Sequence, residues 1–402
     1  MISRIEIENF YSVRQAQVLD LRVADNVPEV AGRLGESCRG SIARVPKVVA
    51  LFGANASGKS TVLRVLAFLG WFVQSSFQLP PDAAQPCESF NDQEAAQLPT
   101  RLAIHFAAPA DLVEPRLESC AKYIYEVRFR SELGKPRSIV SESLRQASLT
   151  GGKPVRLFER DEESKIRYGK DYGLAGYKQV LSKVRSNTSV IATLAQFDHQ
   201  PSLLLQRLAA SILTNIFLEK VDFSEDKVVR FYAEHPELIE ALNREIERID
   251  LGIRGMSIDS SAAGPVARLE HEGLDRLMPL HLESHGTRQF IRIFPMLIQT
   301  LKVGGVAVID ELDLAIHPLV LPEILRWFYD PVRNQQNAQL WMSCQNASLL
   351  DDLIKEEVYF CEKDTRGRTR VYGLQDIQSV RRNDNYYQKY LGGVYGAVPQ
   401  LG

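Results

Sequence analysis

The sequence predicts an α/β fold in which a mixed, largely parallel sheet carries an antiparallel N-terminal meander and is interrupted by a helical insertion. Three observations predict it. The continuous apolar run VPKVVALFG passes through a glycine-bracketed turn into STVLRVLAFLGWFV, whose apolar residues recur at helical spacing. A second run, Val306 to Ile309, follows another helical pattern and a Gly-Gly turn. Between these units, residues 175–253 turn to helical periodicity. Runs apolar at every position suit strands buried on both faces, and strands alternating with helices build parallel sheets.

Residues 4–23 open with period-two alternation, Ile5 and Ile7 and then Leu19, Leu21 and Val23, with polar SVRQAQ between them; this predicts a hairpin. Residues 74–100 are rich in Pro, Ser and Gln and read as a surface loop or a poorly ordered insert. RLAIHFAA and KYIYEVRFR follow as strands, the second with Tyr123, Tyr125, Val127 and Phe129 on one face, and GKPRSIVSESL completes a meander. The stretch PSLLLQRLAASILTNIFL, interrupted by Gln206, Arg207 and Asn215, reads as a buried helix at the short limit for a bilayer span.

In HPELIEALNREIERIDLGI, Leu238, Leu242, Ile246 and Ile249 share one helical face, Pro236 sits in the first turn and Gly252 follows the last. A helix over 286–301, the Gly-Gly turn, the strand Val306–Ile309, and strands in NAQLWMSCQN and EEVYFCEKD complete the order. The expected division is a first α/β half over 1–150, a helical insertion over 151–260, and a second half over 261–402. No repeat of fixed period is present.

With 402 residues the chain can bury one large core or two ordinary ones. Its 48 basic and 50 acidic side chains nearly cancel, so overall charge predicts no strong attraction to nucleic acid or to an anionic membrane. Cys38, Cys87, Cys120, Cys344 and Cys361 are scattered with no C-x-x-C pair, which predicts free thiols in a reducing, cytoplasmic setting. The opening MISRIEIENF alternates like a strand and lacks a signal peptide's apolar core.

The sharpest signal is Gly53-Ala54-Asn55-Ala56-Ser57-Gly58-Lys59-Ser60, which satisfies G-x-x-x-x-G-K-[ST] between a buried strand and an apolar helix. Backbone N–H groups from 55 to Thr61 can converge on a phosphate at the helix N-terminus, Lys59 can reach the β/γ oxygens and Ser60 can hold Mg²⁺. A cradle binds; hydrolysis also needs a metal carboxylate and a group that orients water. VAVIDE offers both, Asp310 at the strand end for the metal and Glu311 for the water. ATP and Mg²⁺ are therefore the expected ligands.

About 250 residues separate Lys59 from Asp310, too many for a compact GTPase-like domain but natural if a module is inserted between two halves of one nucleotide-binding domain. The chain thus resembles the ATP-binding-cassette (ABC) ATPases, in particular their SMC-like and OLD-like (overcoming lysogenization defect) branch. IEIENFYSV is similar to that branch's opening strand and its N-F-x-S element, and LESHGTRQF resembles its signature motif. The resemblance implies that Ser284, Gly286 and Thr287 stand at a helix N-terminus and complete the γ-phosphate site of the other protomer.

It also implies that His317, in DELDLAIHP, holds the D-loop position across a dimer interface. The closing YYQKYLGGVYGAVPQLG resembles the end of stand-alone ATPases of bacterial phage-defence operons. Gln345 stands where the branch commonly has a histidine that touches the γ-phosphate; glutamine can donate a hydrogen bond but carries no charge, which predicts slow hydrolysis and a long-lived ATP-bound dimer. Glu142 is a candidate for the Q-loop. His281 and His285, four apart, read as solvated histidines rather than a metal site.

The implied function is an ATPase that forms a homodimer or higher homo-oligomer through the ATP interface and controls a separate effector from the same operon, a nuclease or toxin, in anti-phage defence. Only 57 residues follow Gln345, against the roughly one hundred that a small fused nuclease domain would take, so cutting is expected from a partner chain. The alternatives are an SMC-like DNA repair or DNA-clamping ATPase, which would want long heptad arms or a basic channel, and a transporter ATPase, for which the middle segment is too long. Contact with DNA is unsupported by the charge, and no membrane partner is expected.

Overall fold

The computed structural model describes the chain except residues 82, 117, 131–137, 148–151, 217–224, 250, 251, 263, 315 and 400–402. In chain order, β1 (Ile2–Glu8) and β2 (Gln17–Asp20) form the opening hairpin, with Ile5 opposite Leu19. A short ribbon of β3 (Leu34–Glu36) and β4 (Arg44–Pro46) leads into β5 (Val48–Phe52) and α1 (Lys59–Ser75). The meander β6 (Thr100–Pro109), β7 (Cys120–Arg130) and β8 (Ser138–Ala147) continues into β9 (Val155–Arg160) and β10 (Ile166–Tyr168). Helices α2 (Lys178–Leu181), α3 (Val190–Ala195) and α4 (Gln200–Ala210) precede β11 (Ile212–Thr214).

Next come α5 (Glu225–Glu234) and α6 (Pro236–Ile249), then β12 (Ile253–Ser261), β13 (Gly264–His271) and β14 (Met278–Pro279) as a small antiparallel sheet. The chain closes with α7 (His285–Val303), β15 (Val306–Ile309), α8 (Leu321–Tyr329), β16 (Gln339–Ser343), β17 (Val358–Lys363), β18 (Thr369–Gly373) and α9 (Tyr386–Leu391).

Two large sheets carry the fold. One is antiparallel, in the order β10-β9-β8-β7-β6-β1-β2. The other runs β11-β15-β16-β5-β17-β18, parallel throughout except for β18 at its edge. Helix α1 fills the space between them. On β5, Val49 and Leu51 face α1 and the antiparallel sheet, while Val48, Ala50 and Phe52 face α7 and α8 in a second core. That is why the run is apolar at every position: alternate side chains go to opposite faces, and both are covered. Tyr123, Tyr125, Val127 and Phe129 form the buried face of β7, as their period of two predicts. Lys59–Gln78 is long and apolar enough to cross a bilayer, yet it is the core helix, mostly buried between the sheets.

Three expectations change. The apolar stretch expected as one buried helix breaks: α4 stops at Ala210, and Ile212–Thr214 becomes the edge strand beside β15. Short apolar runs do not distinguish strand from buried helix, and the open edge of the parallel sheet decides this one. The segment 151–260 is mixed rather than purely helical, because β9 and β10 extend the meander before the helices begin. The described residues of 74–100 run over the surface as expected, anchored by a few buried side chains such as Gln85 and Cys87. Cys38 and Cys120 are bonded, with Cα atoms 5.9 Å apart, where free thiols were expected. The loop after β3 lies against the start of β7, a proximity that a separation of 82 residues conceals.

Candidate functional site

The site is built around the β5 to α1 connection. Gly53, at φ +149°, has no room for a side chain: a Cβ there would lie 2.2 Å from the Cys361 carbonyl oxygen. Gly58 is the N-cap of α1 at φ +106°, and no side chain caps the helix and no acid occupies its first turn. The first-turn N–H groups, which no helix satisfies internally, are therefore open to an anion. Lys59 folds back over the loop, its Nζ donating to the carbonyls of Gly53 at 2.8 Å and Ala54 at 3.0 Å. A hydroxyl cluster braces the loop from behind. Thr369 Oγ1 lies 2.9 Å from the Ser57 carbonyl and 2.8 Å from Ser12 Oγ, which in turn is 3.0 Å from Thr61 Oγ1.

A cavity of about 680 Å³ opens over this loop, and residues 55–61 line it together with Asp310, Glu311 and Gln345. Residues 250 positions apart in sequence thus meet because β5 and β15 both flank β16 in the parallel sheet. Glu311 has a left-handed backbone, φ +53°, unusual for a residue with a side chain. Ser343 Oγ accepts from the Glu311 N–H at 2.7 Å and donates to the Asp310 carboxylate. Gln345 Nε2 donates to Glu311 Oε1 at 3.1 Å, so the residue in the expected histidine position touches the acid directly. The donors Ser60 and Asp310 offer only oxygen, the set that suits Mg²⁺ rather than zinc or a redox metal. Among the described residues no group of three His, Cys, Asp or Glu gathers to hold a metal.

Tyr11 and Ser12 of the N-F-x-S element line the cavity, as the resemblance implied, but sequence reasoning missed the rest of that wall, residues 88–91, Lys363 and Gly367. The one sequence signal was the asparagine of IEIENFYSV. Asn9 and Tyr11 both have left-handed φ, +50° and +47°. Asn9 Nδ2 donates to the carbonyls of Ala95 at 2.8 Å and Leu98 at 2.9 Å, while its Oδ1 accepts from the Phe90 N–H at 3.1 Å. That single amide fastens the wall to the end of β1. Arg64 of α1 lies over the Tyr11 ring, 4.6 Å from its centroid.

Glu142 does not belong to the site. It is fully buried behind the meander, accepting from Tyr125 OH at 2.8 Å, Ser189 Oγ at 2.7 Å and the Val190 N–H at 2.9 Å. Burial raises its pKa in spite of nearby Arg160 and these hydrogen bonds. It is a bracket between β8 and α3, and the Q-loop expectation falls. Cys361, beneath the loop, is likewise driven by burial, its thiol pushed up to about 12, which leaves it neutral and unreactive.

Ser284, Gly286 and Thr287 stand at the N-terminus of α7, with Ser284 Oγ accepting from the Thr287 N–H at 3.1 Å as an ordinary N-cap. Ser284 and His285 are exposed, as are His281 and His317, and none of them lines the Lys59 cavity of its own chain. Thr287 is buried. The His317 ring accepts from the Leu319 N–H at 3.3 Å.

A phosphate-sized cradle and an acidic strand end in one cavity, on a parallel sheet backed by an antiparallel one, define an ABC-type P-loop ATPase fold. Residues 48–351 match the family described as "AAA domain, putative AbiEii toxin, Type IV TA system", and the chain belongs to that family. A comparison with curated proteins returns no match. Among solved structures, the SMC head domain from Thermotoga maritima is 12% identical, with 92% of this chain and 98% of that chain covered at a TM-score of 0.41. The Smc head domain with a coiled coil and joint from Pyrococcus yayanosii is 10% identical, covering 98% and 99% at 0.46.

Proposed function

We propose that this chain hydrolyses ATP slowly and serves as a switch in an OLD-like anti-phage defence system, closing in pairs around ATP and controlling a separate nuclease or toxin. The observation that carries the ATPase reading is the convergence of Lys59, Ser60, Asp310, Glu311 and Gln345 on one cavity. Lys59, released from the Gly53 and Ala54 carbonyls, neutralises the β/γ oxygens, and the open first turn of α1 receives the β-phosphate. Glu311 accepts a proton from the attacking water, which adds to the γ-phosphorus as the bond to ADP breaks, giving ADP and phosphate. Mg²⁺, held by Ser60 and Asp310, would supply positive charge to the transferring group.

The dimer reading is supported by the exposed Ser284 helix tip, which does not line the Lys59 cavity of its own chain. A second protomer presenting that tip would make ATP part of the interface, so nucleotide state and assembly would be linked. A two-component setting is supported by the family's description as "putative AbiEii toxin, Type IV TA system". Glu311→Gln, which keeps the cradle and removes the base, should accumulate an ATP-dependent dimer visible by light scattering. A variant that stays monomeric at saturating Mg-ATP while still binding nucleotide would sink the sandwich.

A further inference from the structure

The corner formed by Asp310 and Glu311 is gripped from both neighbouring strands by side chains that no motif marks. On one side, the ladder between β11 and β15 ends with Thr214 opposite Val308. The Asn215 side chain continues it by one rung: its Oδ1 accepts from the Asp310 N–H at 2.8 Å and its Nδ2 donates to the Asp310 carbonyl at 2.9 Å. Only an amide side chain offers a donor and an acceptor in that paired geometry, so Asn215 acts as a substitute peptide group. On the other side, the Ser343 hydroxyl spends its one proton on Asp310 Oδ1 and accepts the Glu311 N–H. That engagement leaves Asp310 Oδ2 as the oxygen free of Ser343. It also holds Glu311 in its left-handed backbone, a conformation that otherwise relaxes.

We propose that Asn215 and Ser343 are positioning residues that clamp the Asp310 and Glu311 corner and thereby set the affinity of the cavity for a divalent cation. Neither lines the cavity, so they act through the two acids they hold. The inference rests on reading Asp310 as the metal carboxylate. It goes beyond that reading by assigning the carboxylate's orientation to β11 and β16, so a shift of the edge strand β11 reaches the metal position through one amide. Partners that orient a metal ligand typically change metal affinity by about 10–100-fold when removed, and that is the size expected here.

The test uses the full chain with Mn²⁺ as the probe, titrated by electron paramagnetic resonance in the presence of ADP, alongside ATP affinity measured without metal. In Asn215→Ala and in Ser343→Ala, the Mn²⁺ dissociation constant should rise by about 10-fold or more, while metal-free ATP affinity stays within about threefold because the Lys59 cradle is untouched. Mn²⁺ affinity within threefold of the parent in both variants overturns the proposal. So does a parallel loss of metal-free ATP affinity, since that marks a collapsed site rather than a mispositioned carboxylate. Asp310→Ala separates the two levels: if it leaves Mn²⁺ affinity unchanged, the metal-carboxylate reading itself fails.

Discussion

Replacing Gly58 by alanine isolates the geometry of the cradle from its chemistry, because no ionisable group changes. At φ +106° an L side chain is strained, and its Cβ would lie 2.2 Å from Thr369 Oγ1 and 2.9 Å from Thr369 Cβ. Held positions of this kind cost about 1–3 kcal/mol. Thr369 cannot yield without giving up its contacts with Ser12 Oγ and the Ser57 carbonyl, and each such hydrogen bond is worth about 1 kcal/mol. Together these come to about 3 kcal/mol or more, which corresponds to a loss of about 100-fold in ATP affinity.

The free loop can relax away from the strain, so binding, which requires the closed cradle, bears the loss. Calorimetric titration of ATP into Gly58→Ala measures it, with a thermal melt to verify the fold. Thr369→Ala in the same chain removes two of the three close contacts, Oγ1 and Cγ2, and should recover part of the affinity in a double-mutant cycle. If Gly58→Ala binds ATP within threefold of the parent while Lys59→Ala abolishes binding, the steric account of the loop is wrong.

Two further outcomes follow, one at a buried carboxyl away from the site and one within the site. Burial lifts the Glu357 carboxyl from 4.5 to about 7, opposed by Arg33 at 2.7 Å and by the Ile354 N–H at 2.9 Å. The folded chain therefore keeps a proton that the unfolded chain releases above 4.5, so this group's contribution to stability falls as pH rises from there to about 7 and is flat beyond. Urea midpoints should decline across that window, and Glu357→Gln should flatten the decline; an unchanged slope in the variant would count against it. Gln345→His should raise the rate of ATP turnover, since an imidazole placed beside Glu311 can carry positive charge toward the γ-phosphate. A rate equal to or below that of the parent would count against the neutral amide as a limit on turnover.

Lys59 and Asp310 were legible before any fold was known, because each is embedded in a local pattern with its own physics. A phosphate turn needs two glycines at backbone angles that other residues resist, and a buried strand ending in two acids stands out against its apolar run. The tyrosine face of β7 and the uninterrupted apolar β5 were legible for the same reason: burial on one face or two writes its period directly into the chain. Helical and strand pieces of PSLLLQRLAASILTNIFL were not, since three residues at a sheet edge take their conformation from the neighbour they pair with.

What only the tertiary structure decided is everything that depends on distant segments meeting. The sequence by itself determined the phosphate loop, the acidic strand end, the helix tip at Ser284 and the α/β class. It could not reveal that Asn215 completes a ladder with Asp310, that Asn9 fastens the wall at 88–91, that Glu142 is a buried bracket, or that Cys38 reaches Cys120. Side-chain hydrogen bonds between remote elements leave no periodicity, because their partners are chosen by the packing of the two sheets around α1 and by nothing local to either residue.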